Sequence, residues 1–510
     1  MLCCRTHAPL LFQVVVSPTR ELASQIYVQS NLLTSAERGK LSSQVVFGGV
    51  SKVGDYRAFE RRVPNILVAT PGRLLDHMQN SSIGPEPFVN LMDEVSIVVL
   101  DETDRLLDMG FRDDIKRILR AIPNQNRQTL LFSATVPHEL KSILRENLSP
   151  EYHTVDCIQD EDPATHTNEK VEQHSLMLSD QETVHGTVEL ILGIMEESRD
   201  NKMIVFFPTT HMVSLFTKIF NDYLQHRVFE IHAKKTQQQR TRVSDMFRNA
   251  TSGVLFTTDV SARGVDYPGV THVVQFGMAD SRETYIHRLG RTGRAGAKGK
   301  GIVILSPVER SFLQTLKGLD IQPLPEPTPR AGNDRVLTRV TQRIEHDREL
   351  QVAVNNAYKS LLGYYTGKVK NLPGQQYGSN GMIVDMANSI ARQMGLTEMP
   401  RVSLKVAQQV GLAREPGLNI GSDYGGGGGG GFSSRSGYDR FGGGGGGSRG
   451  GNRYGGGGGG GYSRGGGGGG RRNNNGYGRG NSESYSPRGR FGGDRDSRGS
   501  RRGGGSRFQY

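Results

Sequence analysis

Short, mainly apolar runs recur through the first 305 residues, and most are followed by a longer stretch with helical spacing. In the first part they occupy residues 11–16, 44–47, 66–69, 97–100 and 129–132. Apolar runs of this length fit strands buried on both faces, and helical segments of about 10–30 residues between them fit strand–helix–strand crossovers. That alternation confines the chain to an α/β fold with a parallel sheet. The pattern restarts near Val171, with runs at 203–207, 228–231, 254–257, 272–276 and 301–305, so a second α/β domain is expected beyond the polar stretch 159–170.

The predicted organisation is a first domain over 1–160, a second over 161–318, a helical extension over 319–420 and a tail over 421–510. A Pro-rich segment, 319–335, marks the third boundary. Within the extension, Val354, Ala357, Tyr358, Leu361 and Leu362 share one helical face, as do Ile383, Ala387, Ile390, Ala391 and Met394. Packing on the second domain is the expectation; an independent helical domain is the alternative. Three cysteines (Cys3, Cys4 and Cys157) make neither a disulfide framework nor metal-ligand spacing, which points to free thiols in a reducing compartment and to no structural metal. No stretch of about 18 apolar residues exists, so no membrane span is expected. The opening residues are too short for a signal peptide, and any targeting segment of the natural protein is expected to be absent from this chain.

Two strand-to-helix turns carry similar chemistry. Ser17-Pro18-Thr19-Arg20 follows the run 11–16, and Thr70-Pro71-Gly72-Arg73 follows 66–69. In each, a hydroxyl residue is placed to cap and a proline sits at the first helical position, where its missing N–H costs nothing. Such helix starts present backbone N–H groups and the positive end of the dipole to an anion. Gly48-Gly49 allows close backbone approach, and Arg73 adds charge. Together on one sheet edge they predict a platform for a phosphate backbone; singly, each is also an ordinary capped helix start.

Asp101 and Glu102 stand at the carboxyl end of the run 97–100, where open parallel sheets hold ligands. Two carboxylates there suit Mg²⁺ carrying phosphate oxygens. Asp101 would hold the ion through water, and Glu102 would orient or deprotonate an attacking water. An acidic first helical turn is the plainer reading. Ser133-Ala134-Thr135 are small residues placed to bond the acid turn and pass on its state. In the second domain, Thr258 and Gly264 are placed to touch a nucleic-acid backbone and Asp266 a ribose hydroxyl. His287, Arg288, Arg291 and Arg294 cluster among glycines, with Arg291 and Arg294 spaced to aim into one cleft. Arginines delivered to a transferring phosphoryl group are worth about 10³–10⁵ in rate. A solvated basic loop would explain any one of them but not the cluster.

These residues resemble the DEAD-box family of ATP-dependent RNA helicases, motif by motif and in order. PTRELA is 18–23, GG is 48–49, TPGR is 70–73, the acid box is 101–104 and SAT is 133–135. QxxR is 237–240, TDxxARGxD is 258–266 and HRxGRxGR is 287–294. The resemblance covers about residues 11–310. It implies two RecA-like domains with RNA across both and ATP with Mg²⁺ between them. It places Pro18, Thr19, Arg20, Gly49, Thr70, Pro71, Arg73, Thr258 and Gly264 at the RNA. It places Asp101, Glu102, Gly264, Asp266, Arg291 and Arg294 at the nucleotide, with Glu102, Asp101, Arg291 and Arg294 catalytic and Asp101 the Mg²⁺ residue through water. Ser133, Thr135 and His287 would couple the two sites. The implied activity is local unwinding of short RNA duplexes by ATP-driven domain closure, on single strands and short duplexes without sequence preference. The extension and basic tail resemble the mitochondrial, intron-splicing RNA-chaperone branch, implying an intracellular and mitochondrial location, with nucleus or cytoplasm as alternatives.

Two departures from the family pattern stand out. Thr103 replaces alanine in the acid box, a small and tolerable change. More consequential, the sequence holds neither the Gln-containing adenine motif nor the phosphate loop GxxxxGK[ST], since none of Gly39-Lys40, Gly299-Lys300 and Gly367-Lys368 has the required glycine or the following hydroxyl residue. The expectation is either a truncated version or isoform of an active helicase, or a shortened protein that binds RNA without using ATP. As written, the chain is expected to hydrolyse ATP poorly.

Residues 421–510 hold 15 of the arginines, no lysine, five acids, 40 of the 68 glycines and no Leu, Ile, Val, Met or Ala. They carry a net +10 of the chain's +12. Without aliphatic side chains such a segment cannot offset chain entropy by burial, so disorder is expected. Its arginines and eleven aromatics suit sequence-tolerant RNA binding by phosphate neutralisation and base stacking; a solubilising or self-associating tail, up to a condensate scaffold, is the alternative. Deleting 421–510 is expected to weaken RNA binding and flatten its salt dependence in a fluorescence-anisotropy titration; unchanged affinity at low salt would leave only the alternative.

Overall fold

The structure, a computed structural model, describes residues 11–36, 40–134, 151–155, 171–261, 265–326, 338, 341–344, 346–373 and 379–421. The expected tail beyond Gly421, the linker 159–170, Thr135 and Gly264 therefore lie outside the described residues.

The first lobe alternates strand and helix: β1 (Gln13–Val16), α1 (Arg20–Ser35), β2 (Ser43–Val46), α2 (Lys52–Arg61), β3 (Ile66–Ala69) and α3 (Pro71–Asn80). A small antiparallel hairpin, β4 (Ser82–Ile83) and β5 (Glu86–Pro87), leads to β6 (Ile97–Leu100), α4 (Thr103–Asp108), α5 (Arg112–Arg120) and β7 (Gln128–Leu131). The five long strands form one parallel sheet in the order β2-β3-β1-β6-β7. β1 lies at its centre, in register with β3 from Gln13↔Ile66 and with β6 from Gln13↔Ile97. Its last three residues are buried, as expected of a central strand with helices on both faces. On one face Val14, Val16, Leu67, Leu74, Val98 and Ile118 pack together; on the other, Val15, Val68 and Val99 pack beneath Ala23.

The second lobe begins with β8 (Val171–Met177), α6 (Thr183–Glu197), β9 (Lys202–Phe206), α7 (Thr210–Lys218), β10 (Phe229–Ile231) and α8 (Gln237–Asn249). It continues through β11 (Gly253–Thr257), β12 (His272–Phe276), α9 (Arg282–Leu289), β13 (Gly299–Leu305), α10 (Phe312–Thr315) and β14 (Ile321–Leu324). These strands form a seven-stranded parallel sheet, β10-β11-β9-β12-β13-β8-β14. β14 shifts the boundary expected at residue 319, because the start of the Pro-rich segment adds a strand to this sheet. Pro323 pairs with Ser175 on the outermost strand, where a missing N–H is tolerated.

Beyond it stand α11 (Arg348–Lys368), α12 (Ser379–Gln393), α13 (Leu404–Gln409) and a two-residue ladder of β15 (Val402–Ser403) with β16 (Ile420–Gly421). Val354, Tyr358, Leu361 and Tyr365 of α11 and Ile383, Ala387 and Ile390 of α12 belong to the same continuous core as Val213 and Phe216 of α7 and Phe276 of β12. The helices are thus packed into the second lobe. Polar ties reinforce the contact: Thr209 Oγ1 meets Ser360 Oγ at 2.8 Å, and Gln393 bonds both the Val184 N–H and the Asp180 carbonyl. Truncating the fully enclosed Leu361 to alanine should cost about 2–5 kcal/mol, seen as a lower urea midpoint for the second lobe. A loss below about 1 kcal/mol would mean that the lobe does not need these helices.

Candidate functional site

The two first-lobe turns are built differently. Thr19 caps α1, its Oγ1 accepting from the Leu22 N–H at 3.2 Å. Thr70 makes no side-chain cap bond, and Pro71 fills the first turn of α3 instead. Pro18, Thr70 and Pro71 are buried, and Thr19 is half-buried. Gly49 has φ +79°, a backbone conformation that favours glycine, and a Cβ there would lie 2.0 Å from Arg20 Nη1 and displace that guanidinium. Arg73 departs from the outward charge expected of it: its guanidinium is buried, bonded to Asp55 Oδ2 at 2.6 Å and to the Val50 carbonyl.

The acid turn sits where the run 97–100 ends. The Asp101 N–H bonds the Val16 carbonyl at 2.9 Å. Glu102 then takes a left-handed backbone, φ 45° and ψ 57°, before α4 begins. A non-glycine residue in that region is uncommon and costs on the order of 1–3 kcal/mol. Thr103, the residue that departs from the family pattern, is fully enclosed; its Oγ1 bonds the Leu100 and Phe132 carbonyls at 3.1 and 3.2 Å. Ser133 Oγ accepts from the Asp104 N–H at 3.3 Å, which places it against the acid turn. Burial raises the Asp101 carboxyl above its ordinary value; the Glu102 N–H opposes the rise and Asp104 adds to it. A divalent cation would reverse that penalty. Among the described residues no group of three or more His, Cys, Asp or Glu is placed to hold a metal. The adjacent carboxylates of Asp101 and Glu102 are a donor set that fits an ion keeping most of its ligands as water and phosphate, as Mg²⁺ does.

The second lobe brings its basic cluster to these acids. His287 Nε2 lies 3.4 Å from Asp104 Oδ2, across the lobe boundary. Arg291 is buried, with Nη1 on the Val265 carbonyl at 2.6 Å and Nε on the His287 carbonyl at 3.2 Å. Its pKa falls to about 9, first through burial and then through Arg294, while Glu102 and Asp266 act in the opposite direction. Arg294 Nη1 pairs with Asp266 Oδ1 at 2.8 Å. Arg288 behaves otherwise: it is enclosed and bonded at 2.7 and 2.9 Å to the two oxygens of Asp259, a pair inside the second lobe. Thr258, half-buried just beyond β11, belongs to the same lobe.

Most of the residues that join the lobes lie in motifs already named, Arg20 and Glu21 in PTRELA and Gln237 and Arg240 in QxxR, but their pairing across the lobes was not expected from the sequence. Glu21 Oε1 accepts from Arg240 Nη1 at 3.0 Å and from Gln237 Nε2 at 3.3 Å, and both charged side chains are nearly enclosed. Arg20 Nη1 reaches Gln237 Oε1 at 3.5 Å. Gln25 bonds the Asp266 main chain twice, accepting from its N–H at 3.0 Å and donating to its carbonyl at 3.4 Å. An acid and an amide on the first two turns of a strand-end helix, matched by an amide and an arginine three apart on another, was the signal available. Arg240→Ala would strand Glu21 as a buried carboxylate and weaken lobe pairing by on the order of 3 kcal/mol. Energy transfer between dyes on exposed Gln79 and Lys317 should fall, and adding Glu21→Gln should recover part of it.

Two parallel-sheet RecA-like lobes with acids of one facing arginines of the other define a helicase core. Residues 8–143 match the DEAD/DEAH box helicase model and 186–296 the helicase conserved C-terminal domain model. The chain is 39% identical over 418 residues to DEAD-box ATP-dependent RNA helicase 31 of Oryza sativa subsp. japonica, covering 81% of this chain and 72% of that protein. It is 40% identical over 412 residues to DEAD-box ATP-dependent RNA helicase 26 of Arabidopsis thaliana, covering 80% of this chain but only 46% of that relative's length. The mitochondrial ATP-dependent RNA helicase mss116 of Aspergillus oryzae is 35% identical, covering 83% of this chain and 66% of its own length. Mss116p bound to ssRNA and AMP-PNP superposes with a TM-score of 0.68 at 26% identity, over 81% of this chain and 82% of that one. The chain belongs to the DEAD-box family of ATP-dependent RNA helicases.

Proposed function

We propose that the chain carries the RNA-binding surface and the lobe-closing machinery of an ATP-dependent RNA helicase that opens short duplexes locally. The observation that carries this reading is the meeting of the acid turn with the basic cluster, Asp104 with His287 and Glu102 within the field of Arg291. ATP with Mg²⁺, when bound, supplies the phosphoanhydride to be cleaved. Asp101 would hold the ion through water, and Glu102, fixed by its left-handed backbone, would orient or deprotonate the attacking water. Arg291 and Arg294 would stabilise charge on the transferring group, and Asp266 would bind a ribose hydroxyl. Ser133 and His287 both touch Asp104, which links the acid turn to the second lobe. The turns that carry Pro18, Thr19, Arg20, Gly49, Thr70, Pro71 and Thr258 would offer the RNA surface, with Gly264 and Thr135 completing the RNA and coupling sets. The ssRNA and AMP-PNP bound to Mss116p support RNA and a nucleotide as partners. The mitochondrial relative supports that compartment; no helix among the described residues is long and apolar enough to cross a membrane.

A second reading is favoured by one sequence fact: residues 1–510 contain no GxxxxGK[ST]. Positioning the terminal phosphate is most of this chemistry. A polypeptide of these residues alone would then bind and anneal RNA without using ATP. The two readings separate in one assay series. RNA-stimulated ATP hydrolysis by residues 1–510 should be at least about a hundredfold below that of a version carrying a family phosphate-loop segment ahead of Met1. In that longer version Glu102→Gln should abolish hydrolysis and ATP-dependent unwinding while leaving RNA binding. Equal rates with and without the added segment would refute the assignment of missing chemistry, and annealing indifferent to ATP in both would favour the second reading.

A further inference from the structure

Arg73 follows a turn assigned to RNA, yet its guanidinium points into the lobe. One arm bonds Asp55 Oδ2 at 2.6 Å and the other the Val50 carbonyl. Asp55 Oδ2 also meets His77 Nε2 at 3.0 Å. The far side of that ring, Nδ1, lies 2.9 Å from Ser81 Oγ, which in turn lies 2.8 Å from the Tyr56 hydroxyl. His77 is fully enclosed and held edge-on by Tyr56 and Phe59, with ring centroids 5.7 and 5.5 Å away. The Asp55 main chain is fixed as well, its carbonyl accepting from Gln44 Nε2 at 3.3 Å.

This chain of contacts spans three separate pieces of the first lobe. Arg73 and His77 stand one turn apart on α3, immediately after Thr70-Pro71. Asp55 and Tyr56 stand on α2. Val50 directly follows Gly48-Gly49, on a segment with no strand or helix to hold it. A planar guanidinium offers N–H groups in a fixed fork, so it can bond two acceptors on two segments at once; an ammonium on a flexible stem does not set their spacing. The charge of Arg73 is already matched by Asp55 inside the lobe, where little water competes.

We propose that Arg73 is a positioning residue for RNA: with Asp55 and His77 it forms a strut that fixes the Gly48-Gly49 turn relative to the Thr70-Pro71 turn, so that both meet the backbone of one strand. It is not itself a phosphate contact. This rests on the RNA-binding reading above, and the alternative roles of Arg73 predict effects of opposite sign. If Arg73 contacted phosphate, Asp55 would compete with RNA for it, and removing that carboxylate would tighten binding. If Arg73 is a strut, removing Asp55 loosens the turn and weakens binding.

The test uses the full chain with Asp55→Asn, Arg73→Gln and the double variant, checked for folding by circular dichroism. Two readouts are taken: affinity for a labelled single-stranded oligouridine across a salt series, and amide hydrogen exchange at residues 48–51. Each single variant should weaken binding roughly tenfold and the double variant little further, as expected of groups acting through one network. The salt slope should stay that of the native chain, whereas losing a phosphate contact lowers it by about 0.7–1. Exchange at 48–51 should speed up in all three. Tighter or unchanged binding with Asp55→Asn, a reduced slope with Arg73→Gln, or unchanged exchange at 48–51 would each overturn the strut. If the native chain fails to bind the oligouridine, the RNA reading falls, while the exchange data still decide whether the strut exists. Should the single variants unfold, Tyr56→Phe clips only the outermost hydroxyl and should give the same two changes in smaller measure, their absence overturning the proposal.

Discussion

A nearly enclosed ion pair, Glu21 with Arg240, is the contact on which the arrangement of the two lobes depends. Taking both charges out of water is unfavourable unless each finds a partner. Each lobe therefore has a reason to meet the other in one orientation, and Gln237 reads both partners by donating to Glu21 while accepting from Arg240 and Arg20. Gln25 adds directional bonds to the Asp266 main chain. That contact also fixes where Asp266 stands beside Arg294, so the geometry of the basic cluster is set partly from the first lobe.

The acid turn shows the same economy. Its backbone is held by the neighbouring strands, through Asp101 to Val16 and Thr103 to Phe132, and its one strained residue is Glu102. Strain of this kind persists only where surrounding bonds over-determine the conformation. Here they do, and the outcome is a carboxylate held within the electrostatic field of the second lobe's Arg291.

Much of the fold was legible because buried parallel strands write themselves as short apolar runs. Residues 66–69, 97–100 and 272–276 are strands as bounded in the sequence, and others differ by a residue or two at their ends. The strand Ile321–Leu324 was hidden by its proline and by pairing with a strand some 150 residues earlier in sequence. Motif order located the acid turn and basic cluster, but not the direction of each arginine. Arg73 and Arg288 turn inward because Asp55 and Asp259 wait there, and such partners, 18 and 29 residues away, leave no local signature. The partners of Glu21 and Gln25 escaped notice for the same reason: they lie more than 200 residues distant.

The helices after β14 gain a mechanical role from how they are seated. Tyr364 bonds the Met278 carbonyl and Asp280, just ahead of α9, the helix that leads to Arg291, and Lys368 pairs with the same Asp280. With a shared apolar core beneath, the extension and the segment leading to the arginines are packed as one unit. A small rotation at the cleft then becomes a longer sweep at the outer end of the extension, as with an oar pivoting near its handle. If the lobes close as proposed, whatever that outer surface grips would be dragged sideways as the guanidiniums advance or retreat.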